Sequence, residues 1–173
     1  MTLRPHPALE TQLQMYLDRS ATVPRFLATL GDERFLLSPL LSDTLSLTLR
    51  QQWVMTPRLT LQGYAQLFTN YGAYGTYYEG VSDASHRPIR FSSLTPVTSE
   101  RMDDFHDVGL NLNVVLRWEY RLGSTLYAVY THGQQRMPVA AGTRPPHTLM
   151  PSGLLAGAAN DSVMVKWSWL WDV

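Results

Sequence analysis

Asp103, Asp104, His106 and Asp107 gather three carboxylates and an imidazole into one short stretch. Carboxylate oxygens suit hard cations and imidazole suits borderline ones, so this set has the donor types of a metal site. A solvated loop end is the plainer reading and the preferred one, and no metal is expected. Ser82, Asp83, Ser85 and His86 supply the residue types of a nucleophile, its base and an orienting acid. Such roles require convergence in space rather than adjacency, and no nucleophile elbow surrounds them. No catalytic residue and no cofactor is therefore assigned. Tyr71, Tyr74, Tyr77 and Tyr78, interleaved with Gly72, Gly75 and Gly80, form a candidate ligand loop whose rings can stack on sugars; a flexible cap is the simpler expectation. The remaining candidates are Arg50, Arg117, Glu119 and Lys166, and what these charges do depends on the elements that carry them.

Those elements are extended. In Thr44–Met55, Leu45, Leu47, Leu49, Gln51, Trp53 and Met55 alternate with Ser46, Thr48, Arg50 and Gln52. Side chains point to opposite faces along a strand, so the segment carries one apolar and one polar face. Pro57 and Arg58 make a tight connection, after which Leu59, Leu61, Gly63, Ala65 and Leu67 alternate with Thr60, Gln62, Tyr64 and Gln66. The period is clearest in 107–120, where Val108, Leu110, Leu112, Val114, Leu116, Trp118 and Tyr120 oppose Gly109, Asn111, Asn113, Arg117 and Glu119. A Leu122–Gly123 turn comes next. Pairing Arg121 with Ser124 would set Trp118 opposite Tyr127 and Leu116 opposite Val129, keeping the apolar faces together. In the last segment Val163, Val165, Trp167, Trp169, Trp171 and Val173 face one way, and Ser162, Lys166, Ser168 and Asp172 the other.

The expected strands are thus 43–55, 59–69, 107–120, 125–133 and 162–173, with a further one at Arg34–Leu40. Stretches 70–106 and 134–160 are read as long loops, the second marked by Pro138, Gly142, Pro145, Pro146, Pro151 and Gly153. Residues 1–32 read differently. Leu9, Leu13, Tyr16 and Leu17 fall at helical spacing after Pro7, which predicts a short amphipathic helix, or an irregular segment, packed on the strands. The expected organisation is this N-terminal segment and a β region over 33–173.

Composition narrows the class. The chain has 173 residues, one domain's worth, with 14 basic and 14 acidic side chains, so nothing advertises nucleic acid. Charged residues make up 16%, against roughly 25% in ordinary soluble domains. Aromatics reach 11%, including five tryptophans and nine tyrosines, and cysteine is absent, which excludes disulfides and thiolate chemistry. No run approaches a membrane-spanning helix, and Met1–Pro7 lacks the order of a secretion signal. What remains is a soluble β protein or a β-barrel wall that meets lipid.

Strand length and loop asymmetry favour the wall. A tilted membrane strand needs roughly 9–11 residues, whereas globular strands peak near 5–6. Tight turns near 57 and 122 alternate with the two long loops, as periplasmic turns alternate with outer loops in outer-membrane barrels. Trp53, Trp118, Tyr120, Tyr127, Trp169 and Trp171 then collect at the turn end as an aromatic girdle. Leu47, Leu49, Leu61, Gly63, Ala65, Leu112, Val114, Leu116, Val129, Val165 and Trp167 form the lipid-facing band, and Arg50, Arg117, Glu119 and Lys166 face the lumen. There they either tune passage of solutes or neutralise one another as an Arg117–Glu119 or Arg50–Glu119 pair. His132, near the outer end of its strand, reads as a rim or lumen residue.

Three strings resemble a known family. SDTLSLTLRQQWVMTPRLTLQGYAQLF (42–68), NVVLRWEYRLGSTLYAVYTH (113–132) and SVMVKWSWLWDV (162–173) resemble strand–turn–strand units of the bacterial outer-membrane family called domain of unknown function 5916; LATLGDERFLLSPL (27–40) is a looser match. The RWEYR-x-GSTL string is the most specific. Leu67 and Leu122 stand near places where the family has proline. The resemblance implies the C-terminal strands of a barrel that usually follows a carbohydrate-binding domain like family 9 modules, and hence carbohydrate as a partner. The fold expected is mainly β, an antiparallel up-and-down meander forming part of a transmembrane barrel. Five or six strands fall short of the eight of the smallest barrels, so the missing strands should come from the same gene product, another chain or an oligomer. The function expected is a non-enzymatic outer-membrane wall, in contact with the bilayer, that supports solute passage or anchors a module. The alternative is a soluble β-barrel or sandwich that binds an apolar or carbohydrate ligand.

Overall fold

The computed structural model describes residues 1–31, 33–82, 88–99, 104–136, 145 and 147–171. Eleven strands account for most of them: β1 (Thr2–His6), β2 (Leu9–Ala21), β3 (Arg25–Gly31), β4 (Arg34–Ser38), β5 (Leu40–Thr56), β6 (Leu59–Tyr74), β7 (Tyr77–Val81), β8 (Thr95–Val97), β9 (Phe105–Arg121), β10 (Ser124–Gln135) and β11 (Ala159–Ser168). Single 3-10 turns lie at Phe91–Ser93 and Leu154–Ala156. The fold is mainly β and antiparallel throughout.

Seven strands form one sheet in the order β1-β2-β5-β6-β9-β10-β11. Its hairpin turns, at Pro7–Ala8, Pro57–Arg58 and Leu122–Gly123, all lie at one end, and every longer connection lies at the other. Gly123 takes φ +75°, and Leu170 packs so close that an added Cβ would lie 2.4 Å from its Cδ2. Both facts require glycine at this turn.

The other four strands make a second sheet, β3-β4-β7-β8, at the long-connection end. Its order matches that of β2-β5-β6-β9, and β3, β4 and β7 continue β2, β5 and β6 beyond breaks of one to three residues. Pro39 alone separates β4 from β5, and the facing strand breaks at Gly75, whose N–H donates to the Pro39 carbonyl (3.0 Å). Proline cannot donate to a ladder, so the break falls where a ladder bond is lost. The Arg34 guanidinium clasps Glu79 across β4 and β7 with two bonds, at 2.7 and 2.6 Å.

Among the described residues no layer covers either face of the seven-stranded sheet, and its edges β1 and β11 each pair on one side only. The accessible surface is 11906 Å², against about 8,600 Å² for a compact monomer of this mass. Buried apolar side chains are few: Leu36, Leu40, Tyr71, Val108 and Leu154 among the described residues.

The structure corrects the sequence reading in four places. Residues 9–21 are a strand rather than a helix, pairing along their whole length with β5, from Leu9 opposite Trp53 to Ala21 opposite Leu41. A bulge at Tyr120 shifts the next hairpin. Ser124 faces Arg121, but Thr125 faces Glu119 and Leu126 faces Trp118, which sets Tyr127 opposite Arg117 and Val129 opposite Val115. An extra residue on one strand moves every later side chain of its partner to the other face. Tyr127 and Val129 therefore lie on the polar face, not among the girdle and lipid-band residues. The stretch 70–106 is no simple loop, since it carries the end of β6, β7, β8 and the start of β9. Finally, the last strand is Ala159–Ser168, so Trp169 and Trp171 lie beyond its end, while Asp172 and Val173 lie outside the described residues.

Candidate functional site

The candidate site is the seven-stranded sheet itself, whose two faces differ in chemistry. On the apolar face Leu49, Ala65 and Leu112 share one row, and Trp53, Leu61, Leu116, Ala128 and Val165 another. Leu47 pairs with Leu67, and Val114 stands between Gly63 and Tyr130. The expected lipid-facing residues Leu47, Leu49, Leu61, Leu112, Val114, Leu116 and Val165 thus share one face. Leu49 is 41% exposed, Val114 37% and Val165 63%, although all three are apolar. Burying such side chains is worth about 1.5–3 kcal/mol each, so a contiguous uncovered band signals a partner surface. Gln51 places an amide in the middle of this face, and both ends of it are satisfied within the sheet. It accepts from Thr11 Oγ1 (2.8 Å) and donates to the Glu10 carbonyl (3.2 Å).

At the turn end the band closes in aromatic rings. Trp118 meets Tyr120, Tyr120 meets Trp169, and Trp169 meets both Trp167 and Trp171, each pair with centroids 5.9–6.0 Å apart. Trp167 donates its indole N–H to Tyr120 Oη (2.6 Å), whose hydroxyl donates to the Ser168 carbonyl (3.2 Å). Trp167 therefore belongs to this cluster rather than to mid-band.

At the other end the same face turns polar. Arg19, Asp43, Tyr71 and His106 occupy one row across β2, β5, β6 and β9. Arg19 donates twice to the Asp43 carboxylate (2.7 and 3.0 Å), and His147 Nε2 lies 2.6 Å from Asp43 Oδ2, folding the segment before β11 back over the row. His147 also packs on the Tyr71 ring, with centroids 4.4 Å apart. His106 bridges Thr69 Oγ1 (3.1 Å) and the Arg136 guanidinium. Asp43 and His106 are each 4% exposed, so this row is sealed by its own partners. Beyond the sheet's middle, His132 and Tyr130 both engage Asp161 Oδ1, at 2.8 and 2.6 Å. His132 thus stands on the apolar face of the sheet, opposite Leu112.

The ionisable boundary keeps to one row from Arg19 on β2 to His106 on β9 and drops only beyond it, whereas the aromatic boundary descends across the strands. Asp161 shares a row with Leu49, whereas Asp43, the corresponding carboxylate of β5, stands six residues nearer the long connections. Val165 shares a row with Trp53, whereas Trp169 stands four residues nearer the turns. Both end nearer the turns at β11 than at β5, the ionisable one by a single drop after β9. At ~3.3 Å per residue and ~4.8 Å per strand step, the aromatic boundary slopes at about 35°.

The polar face carries Arg50, Arg117, Glu119 and Lys166, all on one side as expected. Arg117 and Glu119 approach at 3.7 Å, and Glu119 accepts the Gly123 N–H (3.1 Å). No Arg50–Glu119 pair forms. Arg50 instead lies over the Tyr64 ring, 5.7 Å from its centroid. Around it opens a concavity of about 310 Å³ lined by Glu10, Gln12, Gln52, Gln62 and Asn113 among others. The sequence offered a signal for it, since every one of these residues sits at a polar position of the alternation, but not which of them converge.

The other sequence candidates do not assemble. His106 and Asp107 point to opposite faces of β9. Asp104 accepts the Tyr74 N–H (2.8 Å), and Asp103 lies outside the described residues, as do Asp83, Ser85 and His86. Tyr71 and Tyr74 end β6 on opposite faces, and the adjacent Tyr77 and Tyr78 alternate on β7, so the four rings share no platform and stand on no loop. Comparison of the chain with family models, curated proteins and solved structures finds no match.

Proposed function

We propose that the chain is a stretch of wall from a bacterial outer-membrane β-barrel, related to the domain-of-unknown-function 5916 proteins it resembles. It is non-enzymatic, its apolar face meets lipid, and its polar face lines a lumen for solute passage. The observation that carries this reading is the oblique aromatic boundary. Strands of a membrane barrel tilt by roughly 35–45°, so a flat lipid surface must cut their rows at that angle. A second layer of protein imposes no such slope. Ten residues separate Asp43 from Trp53 and eight separate Asp161 from Trp169. Projected at the observed slope this is about 22–27 Å, matching an apolar band of ~25 Å. Aromatic rings stand at one edge, ionisable side chains at the other, and between them the face carries no charge among the described residues.

Charge scanning tests it. Leu112→Arg and Val165→Arg place a cation in mid-band, at a cost of about 2–4 kcal/mol, and should abolish recovery of the chain with floated phospholipid vesicles. Asn113→Arg, one residue away on the polar face, should float as the parent does. Equal recovery of all three variants would refute the two-faced wall.

A further inference from the structure

We infer that the concavity around Arg50 is a subsite for one small, hydroxyl-rich carboxylate, of the size and chemistry of a sugar acid; this rests on reading the polar face as a lumen. A volume of about 310 Å³ lies at the lower end of ligand pockets and fits a single small solute rather than a chain. Glu10, the acidic residue of the lining, is already engaged. Arg4 Nε (2.8 Å) and Gln12 Nε2 (2.7 Å) both donate to it. Arg50 has no carboxylate partner among the described residues, and its guanidinium is held over Tyr64, whose hydroxyl donates to Gln66 Oε1 (2.9 Å). A planar guanidinium without a carboxylate in a recess is matched by the two oxygens of an incoming one, which its parallel N–H groups can bind together.

The surrounding amides select what else the solute carries. Gln52 and Gln62 face each other across β5 and β6, and neither side chain makes a hydrogen bond among the described residues. Asn113, also in the lining, donates to Thr131 Oγ1 (3.0 Å), and its carbonyl oxygen makes no hydrogen bond among the described residues. Amides offer donors and acceptors together, the complement of hydroxyl groups, which also do both. Val115 leaves one apolar patch in the lining, suited to the C–H face of a ring. A bare inorganic anion would satisfy Arg50 and waste the rest.

The test uses the full chain in detergent, with D-glucuronate, D-glucose and inorganic phosphate as probes in isothermal titration. Glucuronate should bind, and glucose and phosphate should bind at least roughly tenfold more weakly. Arg50→Gln should weaken glucuronate by roughly tenfold or more, the loss of a charge-assisted pair of bonds, and Arg50→Lys by an intermediate factor. Ser162→Ala, on the same face but remote from the recess, should bind as the parent does. Phosphate binding as tightly as glucuronate, or undiminished binding by a folded Arg50→Gln chain, would overturn the assignment. Normal vesicle flotation alongside absent glucuronate binding would remove the subsite and leave the wall; failed flotation of the parent chain would remove the wall.

Discussion

At the scale of single residues, the positions most sensitive to change are those where the backbone or a ring leaves no room. Gly72 on β6 faces Phe105 on β9, and a Cβ built there would lie 2.2–2.8 Å from three atoms of the phenyl ring. Gly72→Ala should therefore destabilise the chain by about 1–3 kcal/mol, the usual cost of forcing extra volume into a packed contact, read as a lower denaturant midpoint. Gly72→Ala combined with Phe105→Leu should recover part of the loss. Charged positions behave otherwise. Arg117 and Glu119 partly satisfy one another, while Arg50 does not find a carboxylate, which is why the proposed solute chemistry falls on Arg50 alone.

At the scale of elements, alternation was legible wherever a strand kept its period, and it misled where two periods coincide. Leu9, Leu13 and Leu17 recur every four residues, a spacing that belongs equally to one helical stripe and to one strand face; only Tyr16 favoured the helix, and it lies on the polar side of β2. The pairing of β2 with β5 decides the matter, because Leu13 and Met15 there extend an apolar face that Leu49 and Leu47 begin. The bulge at Tyr120 was not legible, since one residue of slip leaves the composition of both strands unchanged. The recess around Arg50 was half legible: its residue types showed, their convergence across β2, β5, β6 and β9 did not. The four-stranded sheet supplies a prediction of its own. Arg34 holds the Glu79 carboxyl below its ordinary value of 4.5, first by hydrogen bonding and then by charge. A lowered carboxyl favours the folded form above the ordinary value and ceases to do so as pH falls through the lowered one. In Arg34→Gln the Glu79 carboxyl, followed by NMR, should titrate at higher pH, and the β4–β7 pairing should be weaker at neutral pH and lose the acid-dependent loosening that the parent shows. An unchanged titration would show that the clasp is not what holds the carboxylate.

At the scale of the whole molecule, the sheet is a strip with two chemistries and, among the described residues, two unpaired margins. Polar backbone along a margin cannot be left bare in hydrocarbon, so the proposed wall requires neighbours on both sides. The direction of the margins limits what those neighbours can be. Each of the seven strands runs opposite to the next, so β1 and β11 both descend toward the tight turns. A copy of this chain swung round the pore axis would thus meet it along a parallel seam, and a ring antiparallel at every step needs an odd number of additional strands. The chain has no cysteine, which allows a clean check. Thr2→Cys and Ser162→Cys chains mixed in vesicles should form no disulfide between β1 of one copy and β11 of another; its formation would show that copies close on themselves. Parity, a property of the count rather than of any contact, thereby sorts the permissible companions of this strip before a single one is known.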